Sequence, residues 1–164
     1  MEIKNIFKET VPAARLIGRR YTDDDRENGL FAHKWCEFFM NGWFNRLEQA
    51  GGIEEFDYLG MMRVVNGVFE YWIGMLFTPG ADVPDGFDFV DFDAFDAAVF
   101  WIYGNPESVE IYGHDVHCKC LGLLPENGWT RKENGWWIER YNCPRFTEAG
   151  ERGNVILDYY LAIV

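Results

Sequence analysis

The segment Trp136-Trp137-Ile138-Glu139-Arg140-Tyr141 sets one acid among aromatic residues. Read as a strand, its period of two puts Trp137, Glu139 and Tyr141 on one face, and Trp136, Ile138 and Arg140 on the other. If the first face lines a cleft, low dielectric and flanking π surfaces make Glu139 a partner for a cation, each ring adding about 1 kcal/mol. Desolvation of the same carboxyl would favour its protonated form and suit it to general acid or base work. The plainer alternative is a solvated Glu139 that pairs with Arg140 or a neighbouring strand. Tyr71 and Trp72 open another apolar run, and Trp101 and Tyr103 share one face of the stretch from Ala97 to Tyr103. With Trp137 and Tyr141, these rings are the candidates to stack on a flat or cationic ligand. Most of the 14 Phe, 7 Trp and 8 Tyr must instead fill the core, so only about five or six are expected to reach a ligand.

A metal is the other chemistry to weigh. On a helix, His114, His117 and Cys118 share a face at i, i+3 and i+4, which can bind zinc. The Cys118-Lys119-Cys120 spacing is not a Cys-x-x-Cys knuckle, however, and a fourth ligand would have to come from His33 or Cys143. Buried thiols and capped or exposed histidines are the expectation, with no metal and no cofactor. Cys143-Pro144 reads as a structural strand end rather than a nucleophile, and there is neither a Gly-rich phosphate loop nor a nucleophile elbow.

The elements that must position these residues follow from periodicity. Ile3 to Tyr21 reads as an opening strand region, ended by the polar loop Asp23 to Gly29. Phe31, Trp35, Phe38, Phe39, Gly42, Trp43 and Leu47 form an apolar stripe, so Leu30 to Ala50 reads as one amphipathic helix closed by Gly51-Gly52. Asn66-Gly67 lies between two apolar runs, Tyr58 to Val65 and Glu70 to Phe77, and signals a hairpin. Thr78 to Gly86 is a loop, and Phe87 to Tyr103 forms one long or two consecutive strands. Val109 to Leu124 reads as a second helix, with strands at Gly135 to Tyr141 and Val155 to Val164.

Sliding the chain against itself by 84 residues, the interval from Ala13 to Ala97, brings like elements into register. The Ala13 to Gly18 strand falls on Ala97 to Ile102, the first helix on the second, and Tyr71 to Phe77 on Val155 to Leu161. The expected fold class is therefore α+β: two pseudo-symmetric strand-helix-strand-strand halves, a split and mainly antiparallel sheet, one main helix per half and a central cleft. All 164 residues fit one domain.

Charge excludes several functions. With 15 Lys+Arg against 27 Asp+Glu and a net charge of -12, the chain should repel nucleic acid and anionic membrane and draw in positive ligands. It has neither a signal-peptide h-region nor an apolar run long enough for a membrane span. A cytoplasmic protein with reduced cysteines is expected.

Val11-Pro12-Ala13-Ala14-Arg15-Leu16-Ile17-Gly18, Tyr71-Trp72-Ile73-Gly74, Val83-Pro84-Asp85-Gly86-Phe87, Ala97 to Gly104 and Trp137-Ile138-Glu139-Arg140-Tyr141 resemble, in order and spacing, the GyrI-like effector-binding domain. This domain is also called the bacterial transcription-activator effector-binding domain, and the resemblance spans nearly the whole chain. It implies two similar α+β halves and an aromatic pocket in which a buried glutamate, here Glu139, recognises planar or cationic molecules. Many members carry a helix-turn-helix ahead of this domain. Nothing of that kind is expected before Met1-Glu2-Ile3-Lys4, so the resemblance implies a stand-alone small-molecule binder. Some stand-alone members hydrolyse cyclopropane-bearing, DNA-alkylating toxins. For that activity, Glu139 would be general base on a water positioned by Tyr71 or Tyr141, with Trp72 and Trp101 holding the electrophile. Other members inhibit a topoisomerase, which implies a protein-protein role for the acidic surface.

Overall fold

The computed structural model describes residues 1–142 and 144–164. In chain order the elements are β1 (Glu2–Val11), β2 (Ala14–Tyr21), α1 (Ala32–Met40), α2 (Trp43–Glu48), β3 (Ile53–Val65), β4 (Val68–Phe77), β5 (Asp88–Phe92), β6 (Phe95–Gly104), α3 (His114–Leu123), β7 (Trp137–Tyr141) and β8 (Val155–Ala162). They divide between two units: unit 1 is Met1–Val11 with Phe95–Val164, and unit 2 is Pro12–Ala94. Unit 1 pairs its strands in the order β1-β6-β8-β7 and unit 2 in the order β3-β4-β2-β5, all antiparallel.

The duplicated α+β arrangement read from the sequence is present. The same offset carries β2 onto β6, α1 onto α3, β3 onto β7 and β4 onto β8, and it also carries β1 onto β5. The first strand of each repeat pairs with the second strand of the other, β1 with β6 and β5 with β2. In unit 2, Asn66 and Gly67 take φ of 52° and 78°, the positive pair that matches a two-residue turn to strand twist, and β3 and β4 form the expected hairpin.

Two helices differ from expectation. Leu30 to Ala50 is broken at Gly42, whose φ of 64° no helix accommodates, and Asn41 caps α1 with its backbone N–H to Glu37 and Phe39. On a straight helix Phe38 and Phe44 would point roughly 120° apart. The break lets both rings meet at 4.8 Å and bury with Leu47. Phe39, assigned to the apolar stripe, is instead 58% exposed. The second helix begins at His114 rather than Val109, because Val109 and Gly113 hold left-handed backbone (φ 63° and 84°) just after the Pro106–Ser108 turn. Phe87 to Tyr103 resolves into two strands. Among the described residues, no helix is long and apolar enough to cross a membrane.

Candidate functional site

Cross-strand partners in an antiparallel sheet share a face, so pairing fixes which side chains surround Glu139. Glu139 lies opposite Tyr159 on β8, and Trp137 lies opposite Leu161. The α3 helix covers this face: the His117 imidazole Nδ1 is 2.7 Å from the Tyr159 hydroxyl and its ring is 5.0 Å from that of Trp137. Glu139 is 9% exposed. Its Oε2 accepts a hydrogen bond from the Tyr141 hydroxyl at 3.3 Å, and the Tyr141 ring lies 6.5 Å from Tyr112 and 4.7 Å from Phe146.

The electrostatics bind this cluster together. Burial and then the negative charge of Glu139 hold the Tyr112 and Tyr159 phenols well above the usual tyrosine range. Both are neutral phenols at any physiological pH. Burial, helped by Arg131 and His114, pushes His117 down to about 4, so it is a neutral ring beside Tyr159. Arg131 stands 5.1 Å over the Trp137 ring. The arrangement is an acid set into aromatic surface with phenol donors, chemistry suited to holding a cation or a polarised proton.

Trp101 and Tyr103 do not join this face. They lie opposite Asp158 and Ile156, and Asp158 alternates with Tyr159 on β8, so both rings emerge on the other side of the sheet from Glu139. There Arg145 grips Asp158 (Nε to Oδ1 3.0 Å, Nη2 to Oδ2 2.5 Å) and lies 4.8 Å over the Trp101 ring, which packs nearly perpendicular to Phe7. The rings brought near Glu139 are instead Tyr159, its cross-strand partner, and Tyr112, the ring neighbour of Tyr141, neither of which the sequence pattern singled out. Tyr159 carried a signal, since it lies one residue beyond Asp158, the lone acid of an otherwise apolar strand. Tyr112 sits in a turn and carried none.

No protein-family model matches the chain, and no curated protein does. Solved structures do. A Staphylococcus aureus MU50 protein assigned to bacterial transcription regulation matches with a TM-score of 0.67 at 18% identity, over 97% of each chain. SAV2435, in a structure bound to tetraphenylphosphonium, matches with a TM-score of 0.67 at 17% identity, over 100% of this chain and 94% of that one. The EcmrR C-terminal domain matches with a TM-score of 0.65 at 8% identity, over 100% and 99%. The fold is GyrI-like.

Within the GyrI-like fold, the remaining predicted site residues belong to unit 2. Tyr71 is buried, stacks on Phe31 at 4.1 Å and accepts a hydrogen bond from the Trp35 indole at 2.9 Å. Trp72 is buried on the opposite face, and its indole donates to Glu70 Oε2 at 3.2 Å. Arg20 and Arg63 also donate to Glu70, at 2.7 and 2.8 Å. Burial alone would raise the Glu70 carboxyl, but donors from Arg63, Trp72 and Arg20 outweigh it and hold the group below its ordinary range. Glu70 therefore stabilises the fold above its unfolded pKa, and the contribution is lost as pH falls through the lower folded value. Glu70→Gln is expected to cost about 1–3 kcal/mol at pH 7, discounted for the exposed Arg20, and much less at pH 3. Urea unfolding of both proteins at the two pH values checks this; an equal loss at both would remove the carboxylate charge as its source.

On α3, His114 Nε2 approaches the exposed Cys118 thiol at 3.3 Å, while His117 turns to Tyr159. The three residues thus do not present one common donor set. Cys36 and Cys118 are exposed thiols and Cys120 is a buried one; the reading of Cys143 lies outside the described residues.

Proposed function

We propose that this GyrI-like domain binds a small lipophilic or planar cation at Glu139. The observation that carries the reading is a carboxylate at 9% exposure, on one sheet face with Trp137 and Tyr159, and touched by the Tyr141 hydroxyl. Removing a carboxylate from water is costly, and a desolvated cation against aromatic faces repays that cost better than a hydrated one. Tetraphenylphosphonium, the ligand held by SAV2435, has this chemistry: a delocalised positive centre wrapped in phenyl rings. The net charge of -12 adds long-range attraction for such molecules. Site residues on this reading are Glu139, Trp137 and Tyr141, joined by Tyr112 and Tyr159.

A second reading, hydrolysis of a strained cyclopropane electrophile, rests on the Tyr141 hydroxyl beside Glu139. That hydroxyl is placed to orient a water for a carboxylate base. One experiment separates the two. Titration with tetraphenylphosphonium, followed by tryptophan fluorescence, should saturate, whereas neutral triphenylphosphine oxide should bind far more weakly. Equal binding of the two would remove the carboxylate as anchor. Incubation with a cyclopropane-bearing alkylator, followed by mass spectrometry, should return it unchanged; a product gaining one water would replace the binding reading with the enzymatic one.

A further inference from the structure

The arginines of this acidic chain are mostly committed: Arg15 to Asp91, Arg20 and Arg63 to Glu70, Arg26 to Asp23, Arg145 to Asp158. Arg19 differs. It is half-buried, its guanidinium carbon lies 3.7 Å from the centre of the Trp43 ring, and its buried Nε has no acceptor among the described residues. Two residues along β2, and so on the same face, the Tyr21 hydroxyl is also buried without a partner, in a residue only 8% exposed. A guanidinium held against an aromatic ring keeps its planar fork of N–H donors, the group that recognises a carboxylate best. Buried donors left unmade are costly, so two of them on one face of β2 point to an acceptor supplied from outside the chain.

The geometry points to a second ligand site in unit 2, for a flat monocarboxylate held by Arg19 and Tyr21. Its walls are aromatic: Phe87 lies 6.0 Å from the Arg19 guanidinium and 5.0 Å from that of Arg46, a second cation whose Nη2 donates to the Asp85 carbonyl. Lys34, paired with Glu37, stands 5.5 Å over the Tyr21 ring. Burial, then Glu37, Asp25 and Asp88, push the Tyr21 phenol up to about 12 against the opposing pull of Arg19, which keeps it an O–H donor. Those same three acids make the surroundings unfavourable for a doubly charged anion, so the site selects one negative charge on a planar body rather than a phosphate dianion. This site does not depend on Glu139.

The probe is benzoate, with methyl benzoate as its neutral counterpart and inorganic phosphate as a competing oxyanion. In ¹⁵N NMR titrations benzoate should saturate and move the Arg19 Nε–H and Trp43 indole N–H signals, while methyl benzoate moves neither. Arg19→Gln should weaken benzoate by about 10-fold or more, and the isosteric Tyr21→Phe by about 5-fold, the usual worth of a charged and a neutral hydrogen bond. The site is overturned if benzoate does not saturate, if methyl benzoate binds as tightly, or if Tyr21→Phe binds like the wild type. Displacement of benzoate by phosphate at equal concentration overturns the monocarboxylate class. Should Arg19→Gln lose its far-UV circular dichroism, Tyr21→Phe decides alone, because it removes one oxygen and leaves the ring packing intact.

Discussion

Glu139→Gln is expected to weaken tetraphenylphosphonium about 30- to 100-fold, read as the shift in the midpoint of the fluorescence titration. The amide keeps the volume of the side chain and can still accept the 3.3 Å hydrogen bond from Tyr141, so the packing of β7 against β8 is preserved. What disappears is one negative charge in a site where water screens it poorly. A charge-assisted contact in such surroundings is worth about 2–3 kcal/mol, and 1.4 kcal/mol is a factor of ten. Stability should move the other way or stay level, because the variant no longer has to desolvate a carboxylate. Reading affinity and stability together makes the experiment decisive. Unchanged affinity places the cation elsewhere, and a joint loss of affinity and urea stability makes Glu139 a structural acid.

Gly74→Ala is expected to cost more than about 4 kcal/mol and to leave little soluble protein, with Gly18→Ala behaving alike. The two glycines face each other across β2 and β4. A methyl group at Gly18 would run into the Ile73 carbonyl oxygen, and one at Gly74 into that of Ile17. Both obstacles are backbone groups of a paired strand, so no side-chain rotation relieves the clash, and Ile17 and Ile73 are themselves fully buried. Gly122 provides the control. It lies in α3 with nothing within 4 Å of a added methyl, and Gly122→Ala should be neutral or stabilise by about 0.5–1 kcal/mol through helix propensity. Thermal unfolding of the three variants checks both statements; a Gly74→Ala protein that melts like the wild type would show that the strands can part.

The pairing of Gly18 with Gly74 also shows why parts of the fold were legible and parts were not. Each glycine stands in a run quoted for the family resemblance, yet a single strand says nothing of a neighbour's backbone approaching it. Asn66-Gly67 was readable because the turn it makes depends on its own two φ angles. The Gly42 break was not, because a glycine inside an apolar helical stripe is tolerated locally, and the chain turns there to bring Phe38 onto Phe44. The start of α3 was misplaced for a similar reason: Val109 holds a left-handed φ of 63° that a β-branched residue rarely adopts.

For the site, period two along β7 put Trp137, Glu139 and Tyr141 on one face, and the 84-residue offset predicted which elements recur. Both properties are local or periodic, so composition and spacing carry them. Which face α3 covers, and which rings from other strands share it, depends on pairing across long stretches of chain. With β8 between β6 and β7, Trp101 meets Asp158 while Glu139 meets Tyr159, and neighbouring positions on one strand point to opposite sides. That one-residue difference in register exchanges Trp101 and Tyr103 for Tyr159 beside Glu139, and only the packed sheet, where burying one face outweighs every local preference, sets it.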